Sequence, residues 1–430
     1  MIINKLHKTL LFVAIILMSI SGVFAQSDVS SPYSRFGLGT MSNNRPNTII
    51  QGMGGICNAL DGKYLLNSSN PASYAELDSL TFLLDAGFYM KSATYRDAHS
   101  SEKGSNASFD YFDLGFGVTK WLKMGLGAAP FSSRAYTSTA SFIWEQDYPY
   151  TIDYEGTGGL NKLYWASGIR ICKSLSLGVK VNYIFGNITD VTTLYFPNYA
   201  HFHNERRSIN LSFSDATFDF GMIYKQKLTG DYRLTFGATY SLPANMNAHR
   251  NVFIRTMFKG YGSLTETVQD TILYTSGEKT VVKYPQGLSA GITLQNGERW
   301  LIGIDFNWNN WSAFRMNNSN DSLQDSWKIA IGGCFTPRNS SVSSYFRKMT
   351  YRAGFHYDQT CFNIYGTSIT QYGVTLGVGL PIPRAMTSLN MAVEFGKMGT
   401  TQNQLIEESY FNISLGISLH DRWFVKRRYK

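Results

Sequence analysis

The feature that most constrains this chain is a strict alternation of apolar residues with small or polar ones, most complete in residues 410–424. One face of that segment carries Phe411, Ile413, Leu415, Ile417 and Leu419, and the other carries Asn412, Ser414, Gly416 and Ser418. A period of two indicates a β-strand with two different faces. Repeated many times between turns, this pattern is typical of a β-barrel whose apolar outer face contacts lipid.

The same alternation recurs in segments that begin near Phe82, Phe112, Leu175, Leu288 and Tyr372. Short turns alternate with long polar connections, among them residues 137–160, 190–208 and 248–280. A soluble β-sandwich would need polar residues on the face that here carries long aliphatic and aromatic side chains. We therefore predict an all-β fold, a transmembrane antiparallel barrel of about 14 strands over residues 80–424, with both ends of the chain in the periplasm.

Residues 1–25 have the pattern of a secretory signal peptide. Lys5 and Lys8 precede an apolar run at residues 10–20, and Val23-Phe24-Ala25 suits a cleavage site. The run is too short for a transmembrane helix, so strands must make any membrane crossing. The expected location is the outer membrane of a Gram-negative bacterium, with residues 425–430 as a basic periplasmic tail.

Charge and cysteine content exclude several classes of protein. The formal net charge is +9, but the export signal argues against nucleic acid as a partner, and lipopolysaccharide or a periplasmic protein is the better expectation. Four cysteines without CxxC spacing predict neither a disulfide scaffold nor a metal site. His201 and His203 alone are too few metal ligands, and no GxSxG motif occurs, so we expect no enzyme, catalytic residue, metal or cofactor.

Residues 26–79 differ in composition from the rest of the chain, because they are rich in Gly, Asn, Ser and Pro and show little alternation of apolar and polar residues. A barrel of about 14 strands has a lumen that its own side chains cannot fill, so this segment is predicted to be a hatch, or plug. Gly52, Gly54 and Gly55 allow tight backbone turns there; a phosphate-binding loop is disfavoured because no strand precedes them. Asn70-Pro71-Ala72 predicts a rigid turn that either anchors the hatch to the wall or leads into the first strand.

Pro130 lies inside the predicted third strand, where it cannot donate a ladder hydrogen bond. The wall must bulge, kink or part there, and a harmless bulge is the simpler alternative. Several charged residues are predicted to face the lumen and to form ion pairs with the hatch. They are Asp85, Asp113, Arg170, Lys180, Asp219, Arg233, Asp305, Lys328, Arg352, His356 and Glu394.

The Gly52-Met-Gly-Gly55 run, Asn70-Pro71-Ala72 and a first strand at Leu80 resemble the hatch of the long-chain fatty-acid transporter (FadL, OmpP1-like) family of outer-membrane proteins. Residues 124–131 resemble that family's glycine-rich third strand, while residues 31–39 and 423–428 look like its Bacteroidota branch. The resemblance implies 14 strands, a plugged lumen and a lateral opening at Pro130, lined by Ala128 and Phe131.

Two functions follow from these patterns. The preferred expectation is passive uptake of hydrophobic compounds, such as long-chain fatty acids, past the hatch and through the lateral opening. The alternative is a non-transporting barrel subunit of an outer-membrane protein-assembly or secretion complex, with the basic tail at Lys426, Arg427 and Arg428 as a possible contact. Expected partners are hydrophobic small molecules, outer-membrane lipid and lipopolysaccharide, or assembly and secretion machinery.

Overall fold

The structure is a computed structural model that describes residues 31–42, 46–79, 81–144, 148–196, 202–258, 267–316, 321, 323–337, 344–382 and 387–422. The predicted signal peptide, residue His201 and the basic tail lie outside these residues. Within them, no helix has the length and apolar character needed to cross a membrane.

Almost all of the regular structure is β-strand. The strands are β1 (Thr40–Met41), β2 (Thr81–Arg96), β3 (Ser101–Gly117), β4 (Leu122–Ser133), β5 (Tyr136–Trp144), β6 (Tyr148–Arg170), β7 (Leu175–Tyr195), β8 (Asn204–Lys227), β9 (Tyr232–Ser241), β10 (Ala244–Phe258), β11 (Thr267–Tyr284), β12 (Gly287–Asn296), β13 (Trp300–Asn309), β14 (Arg315–Met316), β15 (Ser326–Phe335), β16 (Thr350–Ile364), β17 (Thr367–Pro381), β18 (Thr387–Met398) and β19 (Glu407–Arg422). Single helical turns occur at Pro32–Arg35, Thr48–Gln51, Pro71–Glu76, Trp311–Ala313, Tyr345–Lys348 and Gln402–Gln404.

Strands β2 to β19 form a closed antiparallel barrel, which confirms the predicted fold class. Its wall has 14 strands, four of which are interrupted and consist of β4 with β5, β9 with β10, β11 with β12, and β13 with β14. The final strand closes the ring by pairing with the first, from Glu407 opposite Arg96 to Arg422 opposite Thr81. Near the short turns, the described residues of every wall strand therefore have a hydrogen-bonded neighbour on both sides, as a lipid environment requires.

The two faces of the wall divide as the alternation predicts. On β7, Leu177, Val179 and Val181 are exposed on the outer face, whereas the intervening Lys180 and Asn182 are buried. Exposed aliphatic and aromatic side chains form the same outward band on the other strands, for example Ile304 on β13. Because a charge facing lipid near the midplane would cost about 2–4 kcal/mol, this register suits a membrane-spanning band.

The predicted long polar connections are, for the most part, strands. Residues 190–208 and 248–280 contain the upper parts of β7, β8, β10 and β11, and their main-chain ladders continue well past the lipid band. Beyond lipid the wall needs no apolar outer face, so the alternation of polarity fades while the hydrogen-bonded ladder persists. As a result the wall is tall along β6, β7 and β8, with 21 to 24 residues each, and short along β13 and β15, with 10 each. We call the end at which the tall strands rise, near Tyr195 of β7 and Asn204 of β8, the hairpin end. The opposite end, where short turns such as residues 171–174 join the strands, is the short-turn end.

A ring of inward-facing glycines surrounds the lumen near the short-turn end. Residues 46–79, which we call the hatch, lie against it so closely that a Cβ at Gly237 would be 1.9 Å from the carbonyl oxygen of Asn58, and one at Gly178 would be 2.3 Å from the amide nitrogen of Ala72. Register places many of these glycines side by side, as with Gly178 and Gly221. The members that contact the hatch are Gly115, Gly117, Gly125, Gly168, Gly178, Gly221, Gly237, Gly291, Gly303, Gly332, Gly354, Gly377 and Gly416.

This contact leads to a first prediction, on Gly237→Ala. The added methyl group has no space beside Asn58, so the hatch or the wall must shift, and overpacking of this kind costs about 1–3 kcal/mol. Thermal unfolding in detergent micelles should show a lower midpoint than wild type. The control is Ala238→Val on the outward face of β9, which should unfold like wild type. Equal midpoints for the two variants would contradict the close contact.

Candidate functional site

The lumen is occupied by the N-terminal part of the chain at two levels. The hatch fills the short-turn half. Residues 31–42, which we call the N-terminal arm, lie nearer the hairpin end, where Tyr33 and Leu38 are 3% and 1% exposed. The sequence predicted a single hatch over residues 26–79, whereas the described residues of that segment separate into these two parts.

The predicted glycines lie where the hatch backbone meets the wall. Asn47 caps the helical turn Thr48–Gln51 by accepting a hydrogen bond from the amide of Ile50 at 3.0 Å. The chain then turns at Gly52 and Gly54, and the Gly54 amide donates to Thr375 Oγ1 at 2.8 Å. Gly54 has a φ of 71°, and a Cβ there would lie 2.8 Å from the backbone of β16, so only glycine fits. Gly55 also has a positive φ but leaves more room.

The Asn70-Pro71-Ala72 turn bonds both to the hatch and to the wall. Asn70 Oδ1 accepts the amide of Ala72 at 3.1 Å, and its Nδ2 donates to the carbonyls of Asn58 at 2.6 Å and of Met222 in β8 at 3.2 Å. Asn70 has the extended backbone expected before proline. These contacts suit the predicted anchoring role, which stays a prediction.

Charged groups join the hatch to the wall at the short-turn end. Arg233 contacts Asp61 at 2.6 Å, Arg170 contacts Glu76 at 3.0 Å, and Lys225 pairs with both carboxylates. Burial would raise the pKa of Glu76, but the hydrogen bond and charge of Lys225, with the charge of Arg170, outweigh it and lower that pKa. For Asp61, burial prevails over the cations and raises the pKa. The cluster therefore holds two carboxylates that respond oppositely to acid.

Further wall charges bind neutral groups of the hatch. The Asp113 carboxylate accepts the Tyr74 hydroxyl at 2.8 Å, and the Asp305 carboxylate accepts the Asn58 amide at 2.8 Å. Lys180 donates to the carbonyl of Ser68 at 2.8 Å. Several of the other predicted inward charges have partners within the wall: Asp219 pairs with Lys180, Lys328 with Asp358, and Asp85 accepts the Tyr111 hydroxyl, while His356 lies 3.5 Å from Glu394. Among the described residues, no group of three or more His, Cys, Asp and Glu is arranged to hold a metal ion.

The wall changes course at the predicted strand break. The β3–β4 ladder ends at Phe112 opposite Ala128, and β4 has a bulge between Pro130 and Ser132. Above this point the described part of β3 has no partner on the β4 side, which leaves a seam. The freed edge of β4 is taken by the N-terminal arm, whose β1 pairs with Ser132 and Ser133.

The three residues predicted to line an opening differ in burial. Ala128 and Pro130 are half-buried, and Pro130 also borders a cavity in the lumen. Phe131 points into the lumen, is 3% exposed, and packs against Tyr284 of β11 with ring centroids 5.7 Å apart. The kink therefore directs an aromatic side chain across the lumen.

A buried arginine fixes the arm beside the seam. Arg134, which directly follows β4, donates to the carbonyls of Arg35 at 3.1 Å and Gly37 at 2.5 Å, and pairs with Asp190 of β7. The amide of Gly37 in turn donates to Asp321 at 3.0 Å. Sequence reasoning missed Arg134; its only signal was a position four residues after a strand proline.

Above the arm, an apolar layer crosses the lumen. Tyr33 of the arm stacks on Phe362 with centroids 6.1 Å apart, and the layer includes the neighbouring residues Ala93 on β2 and Tyr410 on β19. Its other large buried members include Leu160, Ile184, Phe213, Trp311, Phe314 and Ile369. Between this layer and the hatch lie two cavities of about 80 and 170 Å³ with polar and charged lining residues such as Lys180 and Asp358.

The charge cluster leads to a pH prediction for Glu76→Gln. A carboxylate whose pKa is lowered on folding stabilises the protein above its unfolded pKa of about 4.5, and that stability is lost as the pH falls through the folded value. At pH 7 the variant should be less stable by about 1–3 kcal/mol, and the difference should shrink by pH 4. Asp61 acts in the opposite sense but is present in both proteins. Denaturant titrations at the two pH values measure this; a pH-independent difference would contradict it.

A third prediction concerns Arg134→Ala, which removes two hydrogen bonds to the N-terminal arm and the ion pair with Asp190 of β7. Loss of a charged hydrogen bond costs about 1.5–3 kcal/mol, so the apolar layer should open more often and Cys361, buried within it, should react with maleimide roughly tenfold faster. The exposed Cys172 reports equal reagent access. Arg250→Ala, which breaks the exposed pair with Glu278, is the control and should leave Cys361 protected.

Comparison with solved structures shows the fold shared with known transporters. The toluene transporter TbuX of Ralstonia pickettii aligns over 88% of this chain and 98% of its own, with a TM-score of 0.59 and 15% identity. A FadL homologue of Pseudomonas aeruginosa aligns over 88% and 99%, with a TM-score of 0.56 and 14% identity, and the toluene transporter TodX of P. putida over 88% and 99%, with 0.55 and 16%. At these identities the likeness concerns the fold alone, that of a closed β-barrel.

No curated protein matches the chain. A family model does so over nearly its whole length, from residue 5 to residue 430, and its description is BamG. The predicted likeness to the FadL family is thus borne out in the fold, and the Bacteroidota branch stays a prediction. By the extent of the family match, the chain belongs to the BamG family.

Proposed function

We propose that this protein is a non-transporting barrel subunit of an outer-membrane protein-assembly or secretion complex. The single observation that carries this proposal is that the lumen is filled at two levels by the chain's own N-terminal residues, each bonded to the wall. The hatch lies in backbone contact with the glycine ring, and Arg134 holds the N-terminal arm, which contributes Tyr33 and Leu38 to the apolar layer. A transport channel requires an open path through the lumen, whereas a non-transporting subunit requires only a rigid barrel.

The energetics of clearing the lumen favour the scaffold. Opening the hairpin half would break the buried Arg134 contacts, at about 1.5–3 kcal/mol for each charged hydrogen bond, and would separate Tyr33 and Phe131 from their aromatic partners. Removing the hatch would also expose Asp61 and Glu76 without their cations. Nothing in the described residues compensates for these losses.

The space between the two levels is a poor match for a hydrophobic ligand. The cavities between the two levels measure about 80 and 170 Å³, below the ~300–1,000 Å³ of usual small-molecule sites. The larger cavity is lined by Lys162, Lys180 and Asp219, and the smaller one has Lys328 and Asp358 among its lining residues. An apolar chain would have to desolvate those groups.

The proposed orientation follows the rule that outer-membrane barrels have short periplasmic turns. The short-turn end then faces the periplasm, the tall hairpins project from the cell, and both termini are periplasmic. In this arrangement the basic tail at residues 425–430 is available to a periplasmic component of the complex.

A second candidate function is passage of hydrophobic compounds, such as long-chain fatty acids, and the observation that favours it is the seam. The β3–β4 ladder ends at Ala128, beside Pro130, within the outward apolar band, so a lateral opening there needs no broken wall hydrogen bonds. Phe131 would have to swing away from Tyr284, and the N-terminal arm would have to leave β4. Structures of this fold include proteins described as toluene transporters.

The test combines purification and uptake. The tagged protein is extracted from its own membrane in mild detergent, and native mass spectrometry measures the stoichiometry of copurified proteins. We expect at least one stoichiometric partner from the outer-membrane assembly or secretion machinery. In parallel, uptake of labelled oleate and toluene is compared between wild type, a deletion strain and a strain carrying Arg134→Ala.

The two candidate functions give opposite results in this test. Unchanged uptake in all three strains together with a stoichiometric partner supports the scaffold. A monomeric protein whose deletion abolishes uptake, and whose Arg134→Ala variant accelerates it, would overturn the scaffold and favour the channel.

A further inference from the structure

Two arginines lie side by side on the outer face of the wall, toward the hairpin end. Arg206 of β8 and Arg255 of β10 are directly opposite each other in an antiparallel ladder that has no bulge, so their side chains leave the same face. Arg206 shares the register of the exposed Phe218, whereas Leu211 and Phe213, at alternate positions of β8, are buried. Both arginines therefore point away from the lumen.

This arrangement is costly for an isolated barrel. Like charges directly opposite each other destabilise a sheet. Both arginines are half-buried, and neither forms an ion pair with a described residue. Other arginines near the hairpin end do have carboxylate partners: Arg250 pairs with Glu278 at 3.1 Å, and Arg134 pairs with Asp190.

The positions around the two arginines on the same face are uncharged. Directly beside them lie Thr193 of β7 and Thr271 of β11. The next positions above and below on these four strands are Val191, Tyr195, Asn204, Ser208, Phe253, Met257, Val268 and Tyr274.

The carboxylates nearest in register do not neutralise the pair. Asp153 of β6 is two strands away from Arg206, beyond Thr193, and accepts the hydroxyl of Thr139 at 2.7 Å. Glu205 and Asp270 adjoin the pair in the chain, yet neither forms an ion pair with either arginine. The two guanidinium groups therefore lack an anion within the described part of the chain.

Aromatic side chains extend the arginine pair into a larger patch. The Arg255 guanidinium lies over the Phe253 ring, 5.2 Å from its centroid, and Phe253 meets Tyr274 edge to face at 5.7 Å. Tyr274 is 67% exposed. We call Arg206, Arg255, Phe253 and Tyr274 the arginine patch. Arginine and tyrosine are enriched among residues that carry binding energy at protein interfaces, and guanidinium groups match carboxylates in geometry and charge.

The height of the arginine patch excludes lipid headgroups as its anions. Arg206 is 12 residues above Phe218, the last exposed apolar side chain on the outer face of β8. That is about 40 Å of strand at ~3.3 Å per residue, or about 28 Å of height for a strand tilted by ~45°. The polar layer outside the hydrocarbon is only about 5–8 Å thick on each side. An anion at this height belongs to a molecule that stands outside the membrane.

We infer that the arginine patch binds an acidic segment of a partner protein at the hairpin end. A carboxylate of that segment lies between Arg206 and Arg255, where it offsets their repulsion, and an adjoining apolar side chain packs on Phe253 and Tyr274. This inference rests on the proposed scaffold function and names the surface through which the scaffold holds a component outside the membrane.

Charge reversal tests the inference on the complex purified in mild detergent. The double variant Arg206→Glu, Arg255→Glu should copurify at least tenfold less partner than wild type. The control is Arg96→Glu, Lys103→Glu, which changes the net charge equally at the exposed ends of β2 and β3 and should keep the partner. Both variants should retain the heat-resistant folded barrel.

A zero-length crosslink tests the carboxylate itself. Arg206→Lys supplies a primary amine at the arginine patch, which a carbodiimide joins to a carboxylate in contact with it. Mass spectrometry of the treated complex should find the crosslinked peptide attached to an Asp or Glu of the partner protein. An adduct to lipopolysaccharide alone, or to a second copy of this chain, would count against a partner segment.

The stability of the isolated subunit separates binding from a structural role. Arg206→Gln removes one of two repelling charges, so its thermal midpoint at low salt should equal or exceed that of wild type. A lower midpoint would show that the pair stabilises the barrel and would contradict the inference. A partner that is present and is retained by the charge-reversed variant overturns the inference and leaves the scaffold standing, whereas absence of a partner from wild type overturns both.

Discussion

Close contact between the hatch and the ring of inward glycines is the constraint on which the rest of the structure depends. A 14-stranded wall encloses more space than its side chains can fill, and the glycines bring the hatch backbone within van der Waals distance of the strands. With no side chains between them, the hatch can bond to the wall, as Asn70 does to Met222 and Gly54 to Thr375. Wall and hatch therefore form one packed body, which is what an interior dense enough to be stable requires.

The same constraint decides which charges are tolerated in the lumen. Asp113, Asp305 and Asp61 are each at most 8% exposed, where an isolated carboxylate would be costly, yet each receives hydrogen bonds or a cation from across the hatch boundary. The partners of Asp113 and Asp305 belong to the hatch, and the partner of Asp61 belongs to the wall. Charge complementarity thus fixes the register of the hatch in the barrel, while the glycines fix its distance from the wall.

The sequence predicted the barrel because period-two alternation is a local property of each strand, and closure between β19 and β2 follows from it. The ladder end at Ala128 and the bulge after Pro130 were also predictable, because proline cannot donate a ladder bond. The role of Arg134 was not predictable: its partners Arg35 and Asp190 are remote in the chain and use main-chain carbonyls in part. The polarity pattern of the sequence also did not predict the upper halves of β10 and β11, because strands that lie in water need no apolar face.

The fold shared with hydrocarbon transporters does not by itself determine the function, since one fold hosts many functions. The function must therefore be inferred from the residues that occupy the lumen. In this chain the seam beside Pro130 is occupied by β1, and Phe131 reaches inward to Tyr284. Both features turn a potential opening into a point where the N-terminal arm is held. The wall is tallest on the side that the arm and Arg134 brace, through Asp190 on β7, and β11 is the outermost strand of that side. Because transporters of this fold are also expected to carry a hatch, the hatch alone does not decide the function. Under the proposal above, the distinguishing feature is that the N-terminal arm, held by Arg134, fills a second level of the lumen.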